Sequence, residues 1–194
     1  MKKETILLLV VVLAVGVLIG VIVTNTQTDK QSVATSVAPA SAPAAAPTVD
    51  YQQKIIMLER IVSQEPENRN AWVQLGHNYF DADQPVKAID AYDRALALNG
   101  NDPNVLTDQG VMYRRLGAFD KAIANFKKAN EISPNHHQSL YNLGIVYLYD
   151  LNDPVKGLET WKSFLAIAPP GPGTAQVKAE VEALEAMHTQ GKMN

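Results

Sequence analysis

From Arg69 onward the chain repeats itself every 34 residues, and a unit that short cannot enclose a hydrophobic core without a neighbour. Trp72, Leu75, Gly76, Tyr79, Ala88, Tyr92 and Ala95 form the first copy. Leu106, Gln109, Gly110, Tyr113, Ala122, Phe126 and Ala129 stand 34 positions later, and Leu140, Leu143, Gly144 and Tyr147 a further 34. One extra residue then enters, and the third copy resumes at Gly157, Trp161 and Phe164. The parallel segments Pro85-Val86-Lys87-Ala88 and Pro154-Val155-Lys156-Gly157 set that alignment. Each copy contains two amphipathic helices joined by a short turn. They are expected over 69–81 and 85–99, 103–116 and 119–133, and 136–149 and 154–168, with the extra residue of the third copy in its turn.

Gly76, Gly110 and Gly144 fall mid-helix, where glycine costs about 1 kcal/mol relative to alanine. That cost is accounted for if a neighbouring helix must approach there. Ala88, Ala122 and Gly157 are the small partners on the second helices, and the aromatic residues of both helices fill the space around the crossings. Asp102-Pro103 and Asp153-Pro154 each set a capping carboxylate before a proline at the first helical position. Residues 51–64 carry Ile55, Leu58, Ile61 and Val62 at helical spacing and align with the second helix of an incomplete preceding repeat. Residues 174–188 offer Val177, Val181, Leu184 and His188 on one side, with Lys178, Glu180, Glu182 and Glu185 as a polar outer face. A stack of repeats needs such a cap. The turn 169–173 separates it from the third copy.

Period and residues together resemble the tetratricopeptide repeat family, whose W-x2-L-G-x2-Y…A-x3-F…P signature they match over about 100 residues. The resemblance implies an all-α, right-handed superhelical stack: a half repeat over 51–68, repeats over 69–102, 103–136 and 137–170, and a capping helix over 174–190. Two positions depart from the family pattern. Gln109 replaces the usual leucine, and Gly157 the usual alanine. In this family ligands lie along the concave surface lined by the first helix of each repeat. The resemblance places there Asn70, Val73, His77, Phe80 and Asp81; then Asn104, Thr107, Val111, Arg114 and Arg115; then Gln138, Tyr141, Ile145, Leu148 and Tyr149. The family's chaperone-tail binders hold a terminal carboxylate with a Lys and Asn clamp. Val73 and His77 stand where its first members would be, so that ligand class is excluded. The remaining surface suits an amphipathic helix or an extended apolar segment, with Arg114 and Arg115 ready for an acidic group.

The chain ahead of the repeats has a different composition. Residues 6–23 form an uncharged run of 18 small or aliphatic side chains. With Thr5 and Thr24 it makes about 30 Å of helix, enough to span a bilayer. Its length exceeds that of a cleavable signal's apolar core, so 5–24 reads as an uncleaved signal anchor. Lys2 and Lys3 precede it, which keeps residues 1–4 cytoplasmic and sends the rest across, into the periplasm of a Gram-negative cell. Gly16 and Gly20 supply a GxxxG step for dimerisation. In the linker 25–50, the stretch 31–48 is uncharged and rich in Ala, with Pro39, Pro43 and Pro47 barring a continuous helix, so it reads as a semi-extended spacer.

Several functions are excluded by what the chain lacks. No cysteine is present, which removes disulfides, thiol nucleophiles, cysteine-zinc sites and covalent haem attachment. A net charge of −3 offers no field for nucleic acid. No phosphate loop, nucleophile elbow or HExxH occurs. Adjacent His136 and His137 point apart on a helix and suggest a helix start, not a metal site. The expected function is therefore a non-catalytic, membrane-tethered scaffold without cofactor or metal, which binds a protein or peptide. It would be an assembly factor or client-holding protein of the cell envelope. The anchor-linker-repeat layout is similar to that of bacterial cytochrome c maturation proteins, which present apocytochrome to the haem-attachment machinery. The alternative is a structural subunit of a secretion, pilus or cell-division complex.

Overall fold

The computed structural model describes residues 50–191. The expected span 5–24, its Gly16–Gly20 step and the linker up to residue 49 lie outside the described residues. Among those described, no helix is long and apolar enough to cross a membrane. Eight helices follow in order: α1 Tyr51–Gln64, α2 Arg69–Asp81, α3 Pro85–Leu98, α4 Pro103–Arg115, α5 Phe119–Ile132, α6 His137–Ile145, α7 Pro154–Ile167 and α8 Pro172–Thr189. A five-residue π-helical turn, Val146–Asp150, continues α6. No strand occurs among the described residues.

The starts of the first helices recur with the period. Asn68, Asp102 and His136 are their N-caps. The Asn68 side chain accepts from the Ala71 amide, and Asp102 accepts from both Asn104 and Val105. His136 was expected inside α6; it precedes the helix, and its Nδ1 accepts from the Ser139 amide. The other cap expected from the proline pairs also forms, Asp153 accepting from Lys156.

Each helix packs on its neighbours in sequence, and the first helices also touch: α2 meets α4, and α4 meets α6. This nearest-neighbour pattern is that of a one-dimensional stack. Its register comes from a repeated lock between glycine and an aromatic ring. A methyl at Gly76 would stand 2.4 Å from the Tyr92 ring, at Gly110 2.5 Å from Phe126, and well inside Trp161 at Gly144. Close approach is thus required, but by a ring of the second helix seated where each Cβ would be. Tyr92, Phe126 and Trp161 are correspondingly buried.

The third copy departs from the expectation at its extra residue. The connecting turns keep one residue with positive φ at the same place: Asp83, Gly117 and Asn152. Asparagine, aspartate and glycine tolerate that conformation best. The turn is therefore unchanged, and the extra residue widens the last turn of the preceding helix, where the Leu151 amide reaches the Val146 carbonyl at 3.0 Å. The leucine of that widened turn, Leu148, packs on Gly157 and occupies the place of the alanine methyl found at Ala88 and Ala122.

At the ends, α1 buries Ile55, Leu58 and Val62 against the first repeat, while Val177, Val181 and Leu184 of α8 cover Trp161, Phe164 and Leu158. The cap begins at Pro172, two residues earlier than expected, since proline at a first helical position lacks only an amide that has no partner there. The side chain of His188 lies outside the described set.

Candidate functional site

The residues placed on the first-helix face separate into three groups. Thr107 is fully buried, its hydroxyl donating to the Pro103 carbonyl of its own helix, so it supports the face without lining it. Val73, Val111, Ile145 and Leu148 are half-buried and pack into the core clusters. His77, Phe80, Arg114, Arg115, Tyr141 and Tyr149 reach the surface.

The two arginines are already engaged. Arg114 holds Asp150 through two bonds, at 2.5 and 3.1 Å, and Arg115 holds Asp83 at 2.8 Å while lying 4.7 Å over the Phe80 ring. They connect α4 to the turns on either side, so they are not free receptors for an acidic group. Paired guanidinium groups present little net charge to a third partner.

Toward the third repeat the surface is aromatic. Tyr141 stacks on Trp161, with planes 11° apart and centroids 6.2 Å apart, and also leans on Phe164. Tyr149 meets Trp161 edge-on, and its hydroxyl donates to Glu180 of the cap. Glu180, expected on the outer face of α8, is half-buried and reaches this exposed tyrosine. A cavity of about 320 Å³ opens beside Tyr141, bounded by His137, Phe164 and the Pro169–Pro170 turn.

Toward the first repeat the same face is acidic. His77 Nε2 lies 3.1 Å from the Asp108 carboxylate, and this contact holds the imidazole above its ordinary pKa against the lowering effect of burial. Asp81 sits nearby with no ion-pair partner among the described residues. Together with Phe80, Tyr92 and Gln138, these groups line a cavity of about 400 Å³ drawn from α2, α3, α4 and α6. Below it, burial and the neighbouring His137 push His136 under its ordinary pKa, in keeping with a neutral ring. With Nδ1 accepting from Ser139, the proton sits on Nε2 and is donated to Asn104 at 3.0 Å. Among the described residues no three acidic or histidine side chains gather as metal ligands.

One constellation escaped the sequence reading. Gln109 is buried, donates to Asp93 of α3 at 2.7 Å and accepts from Asn125 of α5 at 2.7 Å. Its signal was available: Asn125 stands 34 residues after Ala91, so two polar departures fall in facing columns.

Comparisons with known proteins agree with this geometry. Residues 69–102 match a family model described as tetratricopeptide repeat, and 110–149 one described as TPR repeat. A general transcriptional corepressor, trfA, of Dictyostelium discoideum is 38% identical over 74 residues, which is 37% of this chain and 5% of that protein. The Homo sapiens protein O-mannosyl-transferase TMTC3 is 28% identical over 46% of this chain and 10% of its own length. The chain therefore spans only a small part of these curated relatives. Among solved structures, MamA superposes with a TM-score of 0.66 at 19% identity, over 74% of this chain and 81% of that one. YrrB, described as a TPR protein with an unusual peptide-binding site, gives 0.61 at 27% identity, over 66% of each chain. Glycine-aromatic locks at the 34-residue period, helical hairpins in a stack and two matching family models lead to one conclusion: this chain carries tetratricopeptide repeats.

Proposed function

We propose that the chain is a non-catalytic, membrane-tethered scaffold whose repeats hold a protein segment along the first-helix face. The observation that carries this reading is the aromatic end of that face. Tyr141 and Tyr149 are 38% and 58% exposed, yet both rest on the buried Trp161, and Tyr141 borders a cavity. Large rings held rigidly at a surface supply contact area at little entropic cost, as anchor residues of interfaces do. The likeness to a solved repeat protein described by its peptide-binding site supports the same use. Non-catalytic action is supported by the use of Asn68, Asp102, Asp153 and Gln109 in caps and interhelix bonds. Tethering is supported by the uncharged run 6–23 behind Lys2 and Lys3. That order leaves the N-terminus in the cytoplasm and the repeats outside it, with Gly16 and Gly20 available for self-association. The chain then acts as an assembly factor or client holder in the cell envelope, an apocytochrome being one such client.

Crosslinking in intact membranes tests the reading with the full chain. Tyr141→Ala with Tyr149→Ala is expected to abolish recovery of crosslinked partners while the helical circular dichroism is retained and the unfolding free energy falls by about 1–3 kcal/mol, chiefly from the stacking of Tyr141 on Trp161 and Phe164. Unaltered recovery would sink the proposal. Diverse, substoichiometric partners identify a client-holding protein; one stoichiometric partner identifies a permanent subunit of a secretion, pilus or cell-division complex.

A further inference from the structure

The Tyr92 hydroxyl is buried and has no hydrogen-bond partner, although the residue lines the cavity at the acidic end of the first-helix face. Packing does not require that oxygen. Phe126 occupies the same column one repeat later and fills its glycine lock, over Gly110, as Tyr92 does over Gly76. A buried hydroxyl without a partner costs about 1–3 kcal/mol, so its presence at this position calls for a use. The groups around it state what that use is. Asp108 and Asp81 both bring negative charge to the Tyr92 hydroxyl and to His77, raising the pKa of each, Tyr92 chiefly through burial. The two arginines of α4, Arg114 and Arg115, are already paired with Asp150 and Asp83, and Arg69 is paired with Asp102. Gln138 of α6 closes the cavity with a neutral amide.

We propose that this cavity is a subsite for a basic side chain, an arginine or lysine, of a segment bound along the first-helix face. Its N–H donors are met by the Asp81 and Asp108 carboxylates and by the Tyr92 hydroxyl as acceptor. The inference rests on the scaffold reading above, and it reverses the polarity that Arg114 and Arg115 suggested from sequence. A bound segment would place its basic residue between the first and second repeats and its apolar residues toward Tyr141. Protonated His77 neutralises Asp108 and competes with the ligand. The charged and titratable groups bearing on His77 are Asp81 of its own helix, Tyr92 of α3, and Asp102 and Asp108 of α4.

The test is an NMR titration of the full chain in detergent with N-acetyl-arginine methylamide, and with the norleucine and glutamate analogues as controls. The arginine probe is expected to shift the His77 ring signals saturably and to lower the His77 pKa. Its affinity is expected to fall about tenfold in Asp108→Asn and in the exposed Asp81→Asn, as expected for loss of one charged hydrogen bond. Tyr92→Phe is expected to weaken the probe while leaving the melting temperature unchanged or higher, which a purely structural tyrosine would not do. Equal response to norleucine or glutamate, or no response to arginine, overturns the subsite. Crosslinking of Asp81→Asn/Asp108→Asn in membranes separates the two claims. Partners recovered undiminished defeat the basic subsite and leave the scaffold intact, whereas no partner from the unmodified chain defeats the scaffold.

Discussion

Gln109 stands in a column that carries Leu75 and Leu143 in the neighbouring repeats, and it is as buried as they are. Its amide is satisfied on both sides, by Asp93 and by Asn125, so the polar residue bridges α3 and α5 across α4. Restoring the family residue should therefore harm this protein. Gln109→Leu strips Asn125 of its 2.7 Å acceptor and Asp93 of a donor, and urea denaturation is expected to show a loss of about 1–3 kcal/mol with an unchanged m value. Adding Asn125→Ala, which recreates the pairing of Leu75 with Ala91, should return part of that loss. The same scale separates what could be read in advance from what could not. Glycines at 76, 110 and 144 announced close approaches because mid-helix glycine carries a cost. Which atoms filled those spaces depended on the rotation of the second helices, and these delivered aromatic rings. Arg114 and Arg115 looked free in a linear reading, since their partners Asp150 and Asp83 lie 36 and 32 residues away.

Among the elements, α6 is the one whose form the repeat did not foretell. An inserted residue can loosen a turn or widen a helix. Here the turn had little latitude, because its positive-φ residue and the capped proline that follows must keep their places. The helix took the insertion, and Leu148 moved onto Gly157. The two departures of the third repeat are thus one adjustment. Gly157→Ala alone is expected to lose about 1–3 kcal/mol, because the new methyl would collide with Leu148. In a chain lacking Tyr149, which restores the 34-residue spacing, the same substitution should stabilise by filling the vacated space. A thermodynamic cycle with all four proteins checks this, and additive effects would show that insertion and glycine are unrelated.

As a whole the described domain is a row in which each helix depends on its neighbours, so damage at an end should spread only as far as its contacts. Ending the chain after Pro170 removes α8 and bares Leu158, Trp161 and Phe164. Hydrogen exchange is then expected to show lost protection through α7 and α6, while α1 to α4, built on a separate cluster around Tyr92, retain theirs. Uniform loss along the chain would mean a single cooperative core. The period, the paired helices of each repeat and the Asp102 and Asp153 caps, but not the end of α6 or the start of α8, were determined by the sequence alone. They rest on local matters: apolar spacing, proline and capping chemistry, and the need of each hairpin for a neighbour. Tertiary structure alone decided which side chains on the shared face remain available. Ion pairing, burial and hydrogen bonding join residues some 16 to 36 positions apart. That is why the arginines proved to be occupied, while the buried Tyr92 hydroxyl was left without a partner beside the acidic cavity.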